Sequence, residues 1–163
     1  MNVMHKLTLL IVLLLFVSAC TLNTVHKWEE TMKPGKLELH IVKKVINGTQ
    51  IKLSNDRIVK YVGVDSPKRG QFYFKKSYEA NAWLLRKRKI FLKFVSQEPD
   101  EQGRYLAYAY APAKGVLCFI NQELVQFGYA TVDENWSNSK YKKKFLKLQR
   151  EAKLNKKGIW SRS

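Results

Sequence analysis

The stretch GVDSPKRG, residues 63–70, carries one carboxylate, Asp65, and two adjoining cations, Lys68 and Arg69, in a segment broken by Pro67 and Gly70. Asp65 supplies a negatively charged oxygen. Lys68 brings different chemistry. A lysine near its free pKa of about 10.4 is protonated at neutral pH and has no lone pair with which to take a proton, so it acts as a cation rather than a base. Burial can depress a lysine pKa by several units, but SPKRGQ reads as an exposed loop. Immediately downstream, RGQFYF offers Phe72 and Tyr73 as exposed aromatics able to stack on nucleic-acid bases. Tyr61, inside the apolar run IVKYVGV, reads as core.

Charge extends this anion-seeking character to the whole chain. The 163 residues hold 30 Lys and Arg against 13 Asp and Glu, a formal net charge of +17. An excess of that size goes beyond solubility and draws polyanions at long range, nucleic acid and anionic lipid being the two obvious partners. Zinc chemistry is excluded by spacing, since the histidines at 5, 26 and 40 are scattered and no Cys/His cluster accompanies them. Cys118, within GVLCFI, reads as a buried and inert thiol.

The elements that must position these residues begin well inside the chain. Lys6 is followed by LTLLIVLLLFVSA, an apolar run too short to span a bilayer comfortably and ending in small residues, the pattern of an export signal. VSAC resembles a bacterial lipoprotein cleavage site, in which Cys20 is lipidated and becomes the new N-terminus, although Val17 stands where leucine is more usual. An exported, lipid-anchored protein is expected, with an ordinary secreted one as the alternative. Loss of residues 1–19 removes one lysine and no acid and leaves +16. Residues 20–36, polar, aperiodic and closed by Pro34 and Gly35, form a tether.

The folded domain is expected over 37–163. LELHIVKKVI, TQIKLS and RIVKYVGV alternate as strands of a meander across the turn SND. KKSYEANAWLLRKR is a helix that sets Tyr78, Ala82 and Leu85 on one face. KIFLKFVS and RYLAYAYAP are two further strands joined by QEPDEQG, rich in turn formers. INQELVQFG is a short helix ended by Gly128. From about Lys140 to Asn155, Tyr141, Phe145, Leu148 and Ala152 make one apolar stripe under a lysine-rich back. Five strands with about three flanking helices point to an α+β fold, a small curled β-barrel. Partly open barrels of this type commonly bind oligonucleotides across one face.

VINGTQIKL, VKYVGVDSPK, YEANAWL, DEQGRYLAYAY, INQELVQFGYA and KLQREAKLNKKGIW resemble, in order and spacing, the staphylococcal nuclease (thermonuclease) family of OB-fold phosphodiesterases, across residues 37–161. The resemblance implies a five-stranded OB-fold barrel and hydrolysis of DNA or RNA by a calcium ion, an activated water and two phosphate-gripping arginines. At the positions that match the family's acidic pair stand Asn47 and Thr49, which offer a carbonyl and a hydroxyl but no negative charge. Asp65 matches a retained calcium ligand, with the carbonyl of Ser66 beside it. Lys68 stands where the family has the glutamate that orients or deprotonates the attacking water. Lys60 replaces the first arginine, keeping the charge but losing the two-pronged grip, and Arg104 matches the second. Glu101 and Gln102 fall where well-known members hold the nucleotide's terminal phosphate and base. Arg104 has two readings, phosphate contact and scaffold of its turn.

With three acids gone, the pocket of Asn47, Thr49, Lys60 and Lys68 should repel calcium and attract phosphate. The first reading is therefore a lipid-anchored module that binds nucleic acid or another polyanion, with phosphate contacts from Lys60, Lys68 and Arg104 and phosphodiesterase activity lost or strongly impaired. No cofactor is expected, or Ca²⁺ if the site still works. The second is an active metal-dependent endonuclease with a rearranged site that recruits Asp56 or Glu79. The third is a structural surface lipoprotein docked on anionic headgroups.

Overall fold

A computed structural model describes residues 37–113, 115–136 and 141–162. The expected export signal, Cys20 and the expected tether lie outside the described residues. The strands are β1 (Glu38–Asn47), β2 (Gln50–Leu53), β3 (Ile58–Tyr61), β4 (Val64–Asp65), β5 (Lys89–Phe94), β6 (Arg104–Ala113), β7 (Val116–Phe119) and β8 (Thr131–Val132). The helices are α1 (Phe74–Leu84), α2 (Ile120–Gln126) and α3 (Lys142–Leu154), followed by a 3₁₀ turn over Gly158–Arg162.

The main sheet runs β3-β2-β1-β5-β6-β7, and a parallel pairing of β3 with β6 closes the first five strands into a barrel. Closure requires a strongly bent strand. β1 provides it, pairing with β5 through residues 38–41 and with β2 through 42–47, with register shifts between Val42 and Lys44 and between Val45 and Asn47. Irregularities of this kind sharpen local twist. β6 is long enough to serve three partners: its first residues pair with β3, its middle with β5 and its end with β7. The fold is the α+β, five-stranded OB-type barrel that the element order implied. β7, β8 and the break of VKYVGV into β3 and β4 are additions to that reading. The break falls at Gly63, whose φ of 76° ends the extended run.

The alternation of RYLAYAYA explains how β6 is buried on both faces. Ala107, Ala109 and Ala111 line the narrow barrel interior with Ile51, Leu53, Val59, Tyr61, Ile90 and Leu92. Tyr108 and Tyr110 face the other way and pack with Val62, Phe119 and Tyr141. Helix α3 closes the core with Phe145 buried in it and Tyr141 and Leu148 packed against it, and Ala152 is fully buried, as its stripe predicts.

Helix α1 corrects the expected face in part: Leu85, at its C-terminal cap, is buried in the core as expected, but the rest of that face is not. Its fully buried residues are Ser77 and Asn81, while Tyr78 is exposed. The reason is that hydrogen bonding sets this face, beside the apolar packing of Ala80, Leu84 and Leu85 against the core. Asn81 accepts from the Tyr61 hydroxyl (2.9 Å) and donates to the carbonyl of Asn47 (2.8 Å), and Ser77 donates to the carbonyl of Tyr129 (2.6 Å). A buried polar pair of this kind orients a helix where an apolar stripe would let it slide. Asn121 pins α2 in the same manner, accepting from the Ala109 amide and donating to the carbonyl of Val62, 2.9 Å each.

Gly128 and Gly158 fix the C-terminal turn. The Ile159 amide donates to the Gly128 carbonyl at 2.8 Å. A β carbon on either glycine would collide with the backbone of the opposite segment, and both sit at positive φ, 69° and 58°. The 3₁₀ turn thereby docks against the end of α2.

Candidate functional site

Three stretches meet on the outer rim of the barrel. The first is the β1–β2 turn. Asn47 Oδ1 accepts the Thr49 amide at 2.9 Å, the local Asx geometry expected of Asn two residues before a turn amide. Gly48 lets this turn lie flat on its neighbours, since a β carbon there would come within 2.6 Å of Ser66 Cβ and 2.8 Å of Ser77 Cβ. Thr49 is almost fully buried. Its hydroxyl lies 3.3 Å from Ser66 Oγ. Asn47, Thr49 and Ser66 thus form one contiguous patch of neutral oxygens.

The second stretch is β3 and β4. Val59 and Tyr61 point into the barrel, so Lys60 points out by strand alternation. Its ammonium does not reach solvent freely, with its side chain 13% exposed. Nζ lies 2.9 Å from Asp65 Oδ1 and 2.9 Å from Asp133 Oδ2. Burial works to lower the Lys60 pKa, but the hydrogen bonds and charges of Asp65 and Asp133 outweigh it and the net shift is upward.

Asp133 arrives from far along the chain. β4 and β8 pair antiparallel, Val64 with Val132 and Asp65 with Thr131, and the Asp133 amide continues that ladder onto the Gly63 carbonyl at 3.0 Å. The Thr131 hydroxyl donates to the Asp65 carbonyl at 3.3 Å, and Gln149 of α3 accepts the Val132 amide at 2.7 Å. Asp133 Oδ1 accepts the Asn135 amide at 3.1 Å, which leaves Oδ2 aimed at Lys60.

The third stretch is the β5–β6 turn. Arg104 donates through Nε (2.9 Å) and Nη2 (2.7 Å) to Asp100 Oδ2, while Asp100 Oδ1 accepts the amides of Gln102 (3.0 Å) and Arg104 (2.9 Å). Burial pushes the Asp100 carboxyl up, but these hydrogen bonds more than reverse it and hold it below the usual carboxylate range. The register Ile58 to Arg104 and Lys60 to Leu106 sets Arg104 on the same face as Lys60, two positions away along the neighbouring strand.

The structure therefore brings Asn47, Thr49, Ser66, Asp65 and Lys60 together, with Arg104 alongside. Lys68 is exposed on the loop after β4, where its amide donates to Gln71 Oε1 at 2.6 Å. Asp56 and Glu79 are engaged by lysines of their own neighbourhoods, Asp56 by Lys43 and Lys52 and Glu79 by Lys75 and Lys76. Phe72 is exposed, and the Arg162 guanidinium stacks 3.9 Å from its ring centroid. Tyr61 is buried.

Asp133 and Asp100 complete ion pairs that sequence reasoning did not assign. Asp100 had a readable signal, an acid four residues before Arg104 in a turn. Asp133 had none beyond the Asp-x-Asn of a local turn, because a pair separated by 73 residues leaves no periodic trace.

The donor set around Asp65 does not fit a calcium ion. Calcium takes six to eight hard oxygens, with affinity that rises with the number of carboxylates. Here Asn47 Oδ1 holds a backbone amide, Thr49 and Ser66 supply neutral hydroxyls, and Asp65 Oδ1 already holds an ammonium. Among the described residues no group of three or more His, Cys, Asp and Glu side chains is placed to hold a metal.

A closed five-stranded barrel with this rim and three packed helices defines an OB-fold module. Residues 58–162 match the family described as staphylococcal nuclease homologue, and the chain belongs to that family. It is 30% identical over 127 residues to a thermonuclease of Staphylococcus hyicus, covering 72% of this chain and 73% of that protein. It is 30% identical over 131 residues to the SPbeta prophage-derived endonuclease YokF of Bacillus subtilis, covering 74% of this chain and 43% of YokF. An uncharacterized protein of Methanocaldococcus jannaschii, MJ1439, is 38% identical over 79 residues, 47% of this chain and 37% of that protein. The chain thus spans less than half the length of the latter two relatives.

Proposed function

We propose that this protein is a nucleic-acid-binding member of the staphylococcal nuclease family whose phosphodiester hydrolysis is lost or strongly impaired. The observation that carries the reading is the Lys60 ammonium 2.9 Å from Asp65, the one carboxylate left at the positions matching the family's acids. A carboxylate whose oxygen is already held by an ammonium, among neutral oxygens, supplies neither a seat for calcium nor a base for water. The rest of the surface favours polyanions. The net charge is +17, and the loop with Lys68 and Arg69 adjoins the exposed Phe72 under Arg162. An aromatic flanked by cations is a stacking platform for single strands. On this reading Cys20 carries a lipid, and residues 20–36 tether the module to a membrane.

Fluorescence anisotropy with a labelled single-stranded oligonucleotide in EDTA tests the binding. Affinity should fall steeply as salt rises, and Lys68→Glu or Arg162→Ala should weaken it by about threefold to tenfold. Absence of binding at low salt sinks the binding reading. Plasmid nicking in calcium, magnesium or manganese that disappears in Asp65→Ala would show that hydrolysis persists.

A further inference from the structure

The ion cluster at the rim joins three separate parts of the chain. Lys60 belongs to the closed barrel, Asp65 to the short strand after it, and Asp133 to the segment between β8 and α3. Both carboxylate oxygens sit at hydrogen-bond distance from one nitrogen. An ammonium has three rotatable donors and a compact charge, so it can serve two carboxylates at once, where a guanidinium's planar fork favours one. Beside it opens a cleft of about 300 Å³ whose lining includes Asp65, Asp133, Glu134, Trp160 and Lys153, the last with its ammonium 4.4 Å over the Trp160 ring.

We propose that Lys60 is a tethered cation in the place of a divalent ion: it cross-links Asp65 and Asp133, and by occupying their oxygens it makes the site refuse metal. This inference rests on the reading that the site is no longer a calcium centre, and it goes further by naming what holds the carboxylates together.

The physical case has two parts. A cation on its own side chain is present at high effective concentration and loses no translational freedom on binding, so an ion from solution competes at a disadvantage. A divalent ion entering beside a retained ammonium also meets like-charge repulsion. Removal of the ammonium leaves Asp65 and Asp133 facing each other across a solvent-accessible cleft, two negative oxygens already held by the β4–β8 ladder and by the Asn135 amide. That is the beginning of a hard-ion site.

The test uses the full chain and needs no nuclease assay. Terbium emission sensitised by tryptophan, Trp160 lining the cleft, reports ion binding directly. Thermal unfolding with calcium against sodium at matched ionic strength reports its linkage to stability. The wild type should show no saturable terbium site and no calcium-dependent rise in melting temperature. Lys60→Ala should melt lower in EDTA, bind terbium roughly tenfold or more tightly than the wild type, and recover melting temperature in calcium. Lys60→Ala with Asp133→Asn should lose that gain. If Lys60→Ala does not fold, Lys60→Thr, whose β-branched side chain suits a strand, replaces it. A wild type that binds terbium as tightly as the variant overturns the proposal, as does a folded variant that gains no ion. Calcium-dependent plasmid nicking or terbium binding by the wild type overturns the reading beneath the proposal, whereas a wild type without ion and a folded variant that gains none overturn the proposal alone, so the two failures are separable.

Discussion

Two cation–carboxylate clusters stand on one face of the β3–β6 pair and are built on different principles. Arg104 and Asp100 lie four residues apart in one turn, and the same carboxylate also caps two backbone amides. Lys60 binds carboxylates 5 and 73 residues away, with Lys60 and Asp133 both largely withdrawn from water, at 13% and 14% exposure. The first cluster shapes a hairpin that its turn formers already favour. The second ties the barrel to β4 and to the entrance of α3. A local pair adds less beyond what its own backbone secures, whereas losing one member of a largely withdrawn long-range pair strands a charge that water reaches only through the cleft.

That contrast is broken or sharpened by substitution. Lys60→Ala, which leaves Asp133 withdrawn and unpaired, should cost about 3 kcal/mol in urea unfolding in EDTA. A cost no greater than that of Arg104→Ala would erase the distinction. Asp133→Asn should cost about 2 kcal/mol, because the amide keeps the shape but not the charge. A double-mutant cycle with Lys60→Ala should then return a coupling above about 1 kcal/mol. Arg104→Ala should cost about 1 kcal/mol, since Asp100 retains its two backbone donors.

The smallest effect is in acid. The folded pKa of Asp100 lies below its unfolded value, so its contribution is fully present above about pH 3.9 and is lost as pH falls through the folded value. Stability measured between neutrality and about pH 3 should therefore fall less steeply in Arg104→Ala than in the wild type. An unchanged slope would show that the backbone amides, not the guanidinium, hold the carboxylate ionised.

Much of the architecture was legible beforehand because strand alternation, turn residues and the α3 stripe are local patterns. Phe145 and Ala152 are buried where a period of 3.6 places them. Helix α1 misled for the opposite reason. Its inward residues, Ser77 and Asn81, are polar, and their partners Tyr129, Tyr61 and Asn47 come from other elements. The candidate site was legible as a set of positions, Asn47, Thr49, Lys60, Asp65 and Arg104. Its wiring was not, since Lys60 read as free to meet phosphate until Asp133 stood beside it.

By itself, the order of residues determined the barrel, the positive charge and the lack of acids at positions 47, 49 and 68. The charge follows from composition and the barrel's elements from periodicities that each segment carries alone, while the missing acids at 47, 49 and 68 are read from the resemblance to the nuclease family. Tertiary structure alone decided which carboxylates meet which cations. Such a pairing depends on barrel closure and on the β4–β8 ladder, which bring together groups that have no relation along the chain.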